Sequence, residues 1–460
     1  MPYILAVRRA CVICAVIACG PPAIAGGLVI TNGSPRSIGR AGTGTVGDDG
    51  GGALLVNPAA MARREGYRAE VGVAFIDDEL AWQSDSPGAP AARDQAPSSL
   101  APLVAGIGSV GSWVIGVGAM TSAVSDRSLR RPGALPTEDL GVAFDYRYAG
   151  IAGAVRRDTI TVGAARRIGD SFAVGLAIGA SRMQLTEIRR MWAGFSGRDL
   201  IGEPQQDLEL GFSGQDWFVA SGVAGVLVAP ADSPLELGAS VAWSQTSRID
   251  ADVVAVGTPP LGPSISNDGS SGGVSATLDV RQPVTVRVGG RYLGERLVAE
   301  LGGEVAFVPA AAGSTAWIVH GMRVVDRTGV DADLTTVPSR VSLRTHGAVR
   351  GAVDVELIGG FLWATAGYAL SVASVDGGDQ SPSFGDLGGH TLGLGLEGTS
   401  GGFTVTLGWS RTWAAAISTT TRLRLDNPFG AGDRAVPSGI YDGSVDQLGI
   451  LVDVELETKP

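Results

Sequence analysis

FAVGLAIGA, residues 172–180, places Phe172, Val174, Leu176, Ile178 and Ala180 on one parity and Ala173, Gly175, Ala177 and Gly179 on the other. A period of two is the signature of a strand, here with one greasy face and one face of small residues. The pattern recurs outward along the chain. Segment 235–243 sets Leu235, Leu237, Ala239, Val241 and Trp243 against Glu236, Gly238, Ser240 and Ala242. Segment 403–409 sets Phe403, Val405, Leu407 and Trp409 against Thr404, Thr406 and Gly408, and the parity Leu448, Ile450, Val452, Val454, Leu456 closes the chain.

A soluble sandwich and a transmembrane barrel both produce this alternation, and connector lengths separate them. Strands are expected near 67–77, 100–109, 112–121, 157–168, 171–186, 215–229, 235–256, 273–292, 296–308, 339–350, 353–374, 388–398, 402–424 and 442–457. Short connectors at Val110-Gly111, Gly169-Asp170, Ala231–Pro234, Leu293–Glu295, Gly351-Ala352 and Thr399–Gly401 alternate with long ones. Tight turns at one rim and long loops at the other are the outer-membrane pattern. Pro283 falls inside the eighth strand, but Val284, Val286 and Val288 keep the parity of Val274, Ala276 and Leu278, as a bulge allows. The expected fold is all-β: a transmembrane antiparallel up-and-down barrel of about 14 strands. Composition agrees, with 69 glycines in 460 residues and only 18% charged. After the N-terminus no apolar run approaches the roughly 18 residues of a helical span.

The N-terminus has the form of a signal peptide: Arg8-Arg9, the apolar run Ala10–Gly20, then Ala23-Ile24-Ala25, which predicts cleavage before Gly26. An alternative is a lipoprotein signal with Cys19 lipidated. All three cysteines (Cys11, Cys14, Cys19) lie in this segment, so the mature chain would hold no disulfide and no thiolate. The net charge of −11 becomes more negative once Arg8 and Arg9 are removed, which argues against nucleic-acid binding.

Between signal and strands lies IGRAGTGTVGDDGGGALLVNPAAMARREG, residues 38–66. Gly42–Gly47 spells G-x-G-x-x-G, but no strand precedes it and no long helix follows, so a dinucleotide site is excluded in favour of coil that packs closely on other backbone. Asn57 is a strong helix N-cap, Pro58 suits the first helical position, and Gly66 suits the stop. A short helix is expected here, either a connector or a seal for the lumen.

Catalytic and metal chemistry is thin. His320, His346 and His390 form no close pair, so neither metal nor cofactor is expected and the chain is not read as an enzyme. Inward charges (Arg287, Arg291, Glu300, Glu304, Arg344, Asp354, Glu356) are expected to pair across strands, with any of the arginines a candidate for a ligand carboxylate.

Gly39–Gly66, with Asp48-Asp49 ahead of Asn57-Pro58-Ala59, resembles the N-terminal hatch of the outer-membrane long-chain fatty acid and aromatic hydrocarbon transporters. Val155–Leu185, Trp217–Ser247, Pro283–Val308 and Gly439–Leu456 are similar as well. The resemblance implies a signal peptide over 1–25, a lumenal hatch over 26–66 and a barrel over 67–457. It implies passive uptake of hydrophobic small molecules, long-chain fatty acids or similar lipids and hydrocarbons, by way of a hatch movement, across the outer membrane of a Gram-negative bacterium. Asp48, Asp49, Asn57, Pro58 and Ala59 would gate, and a kink at Gly116 and Gly118 of the third strand would release ligand sideways. Met191, Trp192 and Phe195 would supply part of an extracellular ligand groove. The implied partners are the ligand, outer-membrane lipids and the barrel-assembly machinery, with the chain a monomer. The ending Leu456–Pro460 departs from the family's terminal aromatic. Rival readings are a nonspecific porin and a structural or adhesive surface barrel.

Overall fold

The computed structural model describes residues 34–84, 91–130, 145–194, 203–257, 262–267, 273–308, 316–326, 328–339, 343–375, 380–419, 427–429 and 439–456. The expected signal peptide with Cys19, and Phe195, lie outside them. Fourteen wall strands run in sequence order: β1 Tyr67–Ser84, β2 Ser99–Val110, β3 Trp113–Ser128, β4 Ala152–Ile168, β5 Phe172–Trp192, β6 Asp207–Val228, β7 Leu235–Ser244 with Ser247–Gly257, β8 Ser275–Val280 with Val284–Leu293, β9 Leu297–Phe307, β10 His346–Ile358, β11 Leu362–Val372, β12 Gly388–Ser400, β13 Phe403–Ala414 and β14 Gly439–Leu456. Each pairs antiparallel with its neighbour, and β14 returns to β1 over Tyr67↔Leu456 to Ser84↔Gly439, closing the barrel.

One expected turn is corrected. Gly351-Ala352 is not a turn: β10 runs straight through it, pairing Gly351↔Leu301 and Ala352↔Glu300, and the chain reverses at Gly359-Gly360, where Gly360 sits at φ +65°. The alternation Val349, Val353, Val355 continues across the small pair, and a left-handed residue in a tight turn is what glycine supplies. Pro283 does break β8, and β7 breaks beside it at Gln245-Thr246, so both strands bend at one level.

The outward faces carry an apolar band edged by aromatic rings. Tyr67, Trp113, Phe172, Tyr292, Phe361 and Phe403 are exposed at the short-turn edge, and Phe75, Trp217, Trp243, Phe307, Tyr368 and Trp413 at the other. From Tyr67 to Phe75, at about 3.3 Å per residue and about 40° of tilt, the band rises about 20 Å, close to the hydrocarbon height that such barrels span. Exposed Val71, Ile160, Val162, Leu176 and Leu301 fill the belt between the rings, a surface that water would disfavour and lipid would not.

Beyond the second ring, β5–β8 continue and wrap a separate core. Phe212 stacks on Trp317, centroids 4.6 Å apart, among Leu185, Leu210, Ile249 and Leu278. The segment 380–387 folds inward over this end, with Ser383 donating to the Ala152 carbonyl (2.9 Å) and Phe384 in the core. Among the described residues, packed chain thus lies over part of the long-loop end of the lumen.

Candidate functional site: the plugged lumen

Residues 34–66 occupy the lumen at the level of the apolar band. Helix α1, Pro35–Gly39, leads into turns through Gly42; α2 spans Ala53–Val56; a 3₁₀ turn spans Pro58–Arg63. Between α2 and the 3₁₀ turn, Asn57 has extended backbone and its side chain accepts from the Ala59 N–H (3.2 Å), while its Nδ2 donates to the carbonyls of Thr45 (2.9 Å) and Val226 (3.2 Å). One residue thus caps a helix, ties the hatch to itself and ties it to β6. Gly66, at φ +75°, turns the chain into β1.

The wall meets this plug through inward-facing glycines. A Cβ on Gly175 would lie 2.3 Å from the Ala59 nitrogen; on Gly367, 2.3 Å from the Arg40 carbonyl carbon; on Gly393, 2.7 Å from the Ala41 nitrogen. Gly72, Gly408 and Gly449 stand in the same relation to Pro35, Gly225 to Asn57, and Gly238 and Gly289 to Val46. Many of these lie directly opposite one another, as in Gly116↔Gly163, Gly175↔Gly225, Gly238↔Gly289, Gly367↔Gly393 and Gly408↔Gly449. They form a belt on which the hatch rests, by its backbone at Gly175, Gly367, Gly393 and Gly408 and by side-chain ends at Gly116 and Gly163, so the small face of the alternation is a seat. Ala41, wedged at the Gly367–Gly393 pair, holds φ +49°, a strained conformation for alanine that its surroundings enforce.

On the β7–β12 side, charge reinforces the seat. Arg40, 5% exposed, pairs with Glu300 (2.7 Å) and with Asp354, and Glu300 also accepts from the Val46 N–H (2.8 Å). Arg36 pairs with Glu397 (2.9 Å), Arg63 with Glu236 (2.9 Å), and Ser240 donates to the Val56 carbonyl (2.6 Å). Asp48 and Asp49, tied to other hatch residues, have opposite electrostatics. Burial pushes the Asp48 carboxyl above the usual range, although Arg36 opposes this and Ser34 and Gly50 donate to it. Burial works the same way on Asp49, but Arg64 (2.5 Å), Arg36 and Arg63 outweigh it and hold that carboxyl below the usual range.

The β2–β5 side is different. Here Leu54 and Met61, both fully buried, pack with Ala53 and Ala60 against Leu103, Ile107, Val114, Met120 and Ala177. Fully burying side chains of this size is worth about 1.5–3 kcal/mol each. A polar cavity of about 270 Å3, lined by Arg36, Asp48, Arg68, Glu70, Glu397 and Asp453, lies towards β12–β14, and another of about 170 Å3 adjoins it around Arg36, Arg40 and Asp354. An apolar hollow of about 1170 Å3 over Leu237, Val288, Leu301, Val353 and Tyr368 belongs to the outward band, since those side chains point away from the lumen.

Gly116 and Gly118 are not where the third strand departs from regularity. Both pair on either side and face the hatch, where their Cβ atoms would meet Met61 Sδ (2.9 Å) and Leu54 Cδ1 (3.2 Å). The irregularity falls at Ser122: β2–β3 pairing stops at Leu103↔Met120, and the β3–β4 register shifts between Thr121 and Ala123. Val114, Gly116 and Gly118 are buried before that point; after it the parity reverses, and Ser125 and Arg127 reach Asp78 of β1 (2.8 and 2.7 Å). The extra residue of a bulge produces this reversal. Met191 and Trp192, 3% and 0% exposed, are buried beyond the band.

Among the lumen charges, Arg287 and Arg350 share Glu304 (3.0 and 2.7 Å), Arg291 lies 3.6 Å from Glu236, and Arg344 donates to the Ala373 carbonyl (3.2 Å). Sequence reading passed over Arg157. It is held by the hydroxyls of Ser181 (3.0 Å) and Ser244 (2.8 Å) beside a ladder through Ser122 and Thr159, with no carboxylate in ion-pair range among the described residues. The signal was its parity with Thr159, Thr161 and Gly163, which places it on the inward face.

These features define a fourteen-stranded barrel plugged by its own N-terminal segment. The crystal structure of a Pseudomonas aeruginosa FadL homologue is similar, with TM-score 0.69 and 13% identity over 95% of this chain and 100% of that one. The P. putida toluene transporter TodX gives 0.66 at 14% identity over 93% and 99%, and the Ralstonia pickettii toluene transporter TbuX 0.62 at 14% over 93% and 100%. At such identities the likeness speaks for the fold. No protein-family model matches the sequence, and no curated protein matches it.

Proposed function

We propose that the chain is an outer-membrane channel of a Gram-negative bacterium for passive uptake of hydrophobic small molecules, which pass the hatch and leave sideways into the membrane. The carrying observation is the asymmetry of the plug: its seal against β2–β5 is apolar side chains, next to the place where β2 and β3 part company beyond Met120. The opposite side is polar and ion-paired, a poor path for a greasy solute. The short-turn rim, where Ser109 receives the hatch at Gly66, would be periplasmic. A porin reading fits less well, because among the described residues hatch backbone rests on wall glycines of β5 and of β11 to β14. Asp49, Asn57, Pro58 and Ala59 act in this reading as fixings of the plug, and Asp48 is the buried carboxylate set beside them. Signal cleavage before Gly26, insertion by the barrel-assembly machinery and action as a monomer complete the reading.

Arg157 narrows the ligand. A lumen cation that among the described residues has only hydroxyl partners favours an amphiphile with an anionic head over a pure hydrocarbon. The test is native mass spectrometry of co-purifying lipids, combined with uptake of oleate and of a neutral alkane by vesicles holding the wild type and Arg157→Gln. Arg157→Gln should lose oleate affinity by about tenfold or more and leave the alkane unchanged. Equal effects on both, or a large constant ionic conductance in wild type, would refute the reading.

A further inference from the structure

The plug is fixed to the wall by two unlike kinds of contact, and they do not yield to the same agent. On the β7–β12 side, buried ion pairs and backbone set on glycine hold it: Arg40 with Glu300 and Asp354, Arg63 with Glu236, and hatch backbone against Gly367 and Gly393. An apolar solute offers nothing that replaces an ion pair, so it cannot displace these contacts without stranding buried charge. On the β3–β4 side, the contact is two flexible side-chain ends in a notch of three glycines. Leu54 reaches Gly116, Gly118 and Gly163, and Met61 reaches Gly116. An apolar solute entering that notch buries the same kind of surface that Leu54 and Met61 give up, so the exchange is nearly neutral. Leu and Met also have the rotamer freedom to leave; Met in particular adapts to irregular space.

We propose that the hatch does not open as a body: solute passes by displacing the side chains of Leu54 and Met61 from the Gly116–Gly118–Gly163 notch, while the hatch backbone stays clamped. Met120, which packs in the same cluster and marks the last β2–β3 pair, is the next contact on the way out. The notch then sets the cross-section of what passes, admitting an alkyl chain or a single aromatic ring and refusing anything broader. The proposal rests on the uptake reading above and adds the gate to it.

The test uses the full-length barrel in lipid vesicles, with folding checked by heat-shifted gel mobility, and oleate and toluene as probes. Leu54→Ala with Met61→Ala should raise uptake of both about tenfold and admit a bulkier probe such as pyrene. Gly163→Ala, whose Cβ would stand 2.7 Å from Leu54 Cδ2, should slow uptake. Independently, Met61→Cys in the otherwise cysteine-free mature chain should resist a maleimide at rest, since Met61 is fully buried, and react when oleate is added. Uptake that is normal in wild type and unchanged in the double variant, or Met61→Cys labelling indifferent to oleate, overturns the side-chain gate alone. A wild type that carries neither probe takes down the uptake reading and the gate together.

Discussion

Arg40→Met is the sharpest perturbation of the plug. The substitution keeps side-chain bulk and removes the cation that bridges Glu300, whose side chain is 0% exposed, and Asp354, at 13%. Breaking a buried pair by deleting one partner costs about 3–5 kcal/mol because the remaining charge is left uncompensated. Two contacts soften the loss: Glu300 keeps the Val46 N–H (2.8 Å) and Asp354 keeps the Thr365 hydroxyl (2.8 Å), which argues for the low end. About 3 kcal/mol corresponds to a shift of roughly 150-fold in the seated-to-unseated ratio of the hatch. In planar bilayers the wild type should be quiet, and Arg40→Met should flicker open to ions. The control is Arg40→Met with Glu300→Gln and Asp354→Asn, which removes the stranded charges and should restore most of the quiet. A single variant as silent as wild type, or a triple variant as leaky as the single, would show that this ion-pair cluster does not hold the plug.

Gly225→Ala would bring a Cβ within 1.9 Å of Asn57 Oδ1, displacing the cap and the two carbonyl ties; a destabilisation of about 1–3 kcal/mol should appear as a lower midpoint for protease entry into residues 34–66. Leu301→Arg, in the middle of the outward band at 62% exposure, should cost about 2–4 kcal/mol in refolding titrations into bilayers, whereas the same change at a water-facing site would be nearly silent. Asp48 and Asp49 give opposite pH signs. The depressed Asp49 stabilises the plug above the ordinary carboxylate range and loses that as pH falls through its lowered pKa; the raised Asp48 destabilises it at neutral pH and stops doing so as pH falls. Asp48→Asn should therefore raise hatch stability at about pH 7 and leave it nearly unchanged at about pH 4, measured by the same protease midpoint.

The barrel was legible because lipid on one side and packed chain on the other force a strict period of two, and FAVGLAIGA carries it without a break. The turn at Gly351-Ala352 was misplaced for a related reason. Glycine marks both chain reversal and close approach, and only the uninterrupted parity of Val349, Val353 and Val355 distinguishes the two. The belt of glycines under the hatch was visible as a small-residue face, but its partner was not, since nothing local ties Gly367 to Arg40 or Gly175 to Ala59. Met191 and Trp192 were expected in a groove only through the family resemblance, which has a greasy extracellular groove at this connector. They are instead interior residues of a barrel that extends well past the apolar band, a length that the composition of 187–214 obscures. Arg157 was hidden among the other arginines between 147 and 190 until register put it on the inward face beside hydroxyls.

A barrel of this kind has also to be shut. Its final seam joins partners 385 and 387 positions apart, Arg68 with Asp453 and Glu455, a loop whose closure entropy is large and is recovered late in folding. Pro35 of α1 rests on Gly72 of β1 and on Gly408 and Gly449 of β13 and β14, so the first described helix of the hatch touches both sides of that seam. The plug is therefore also a former around which the edges find their register, and it is enclosed at the moment of closure. A chain lacking residues 34–42 should refold into lipid more slowly and with more misregistered product than the whole one, as gel mobility against time would record.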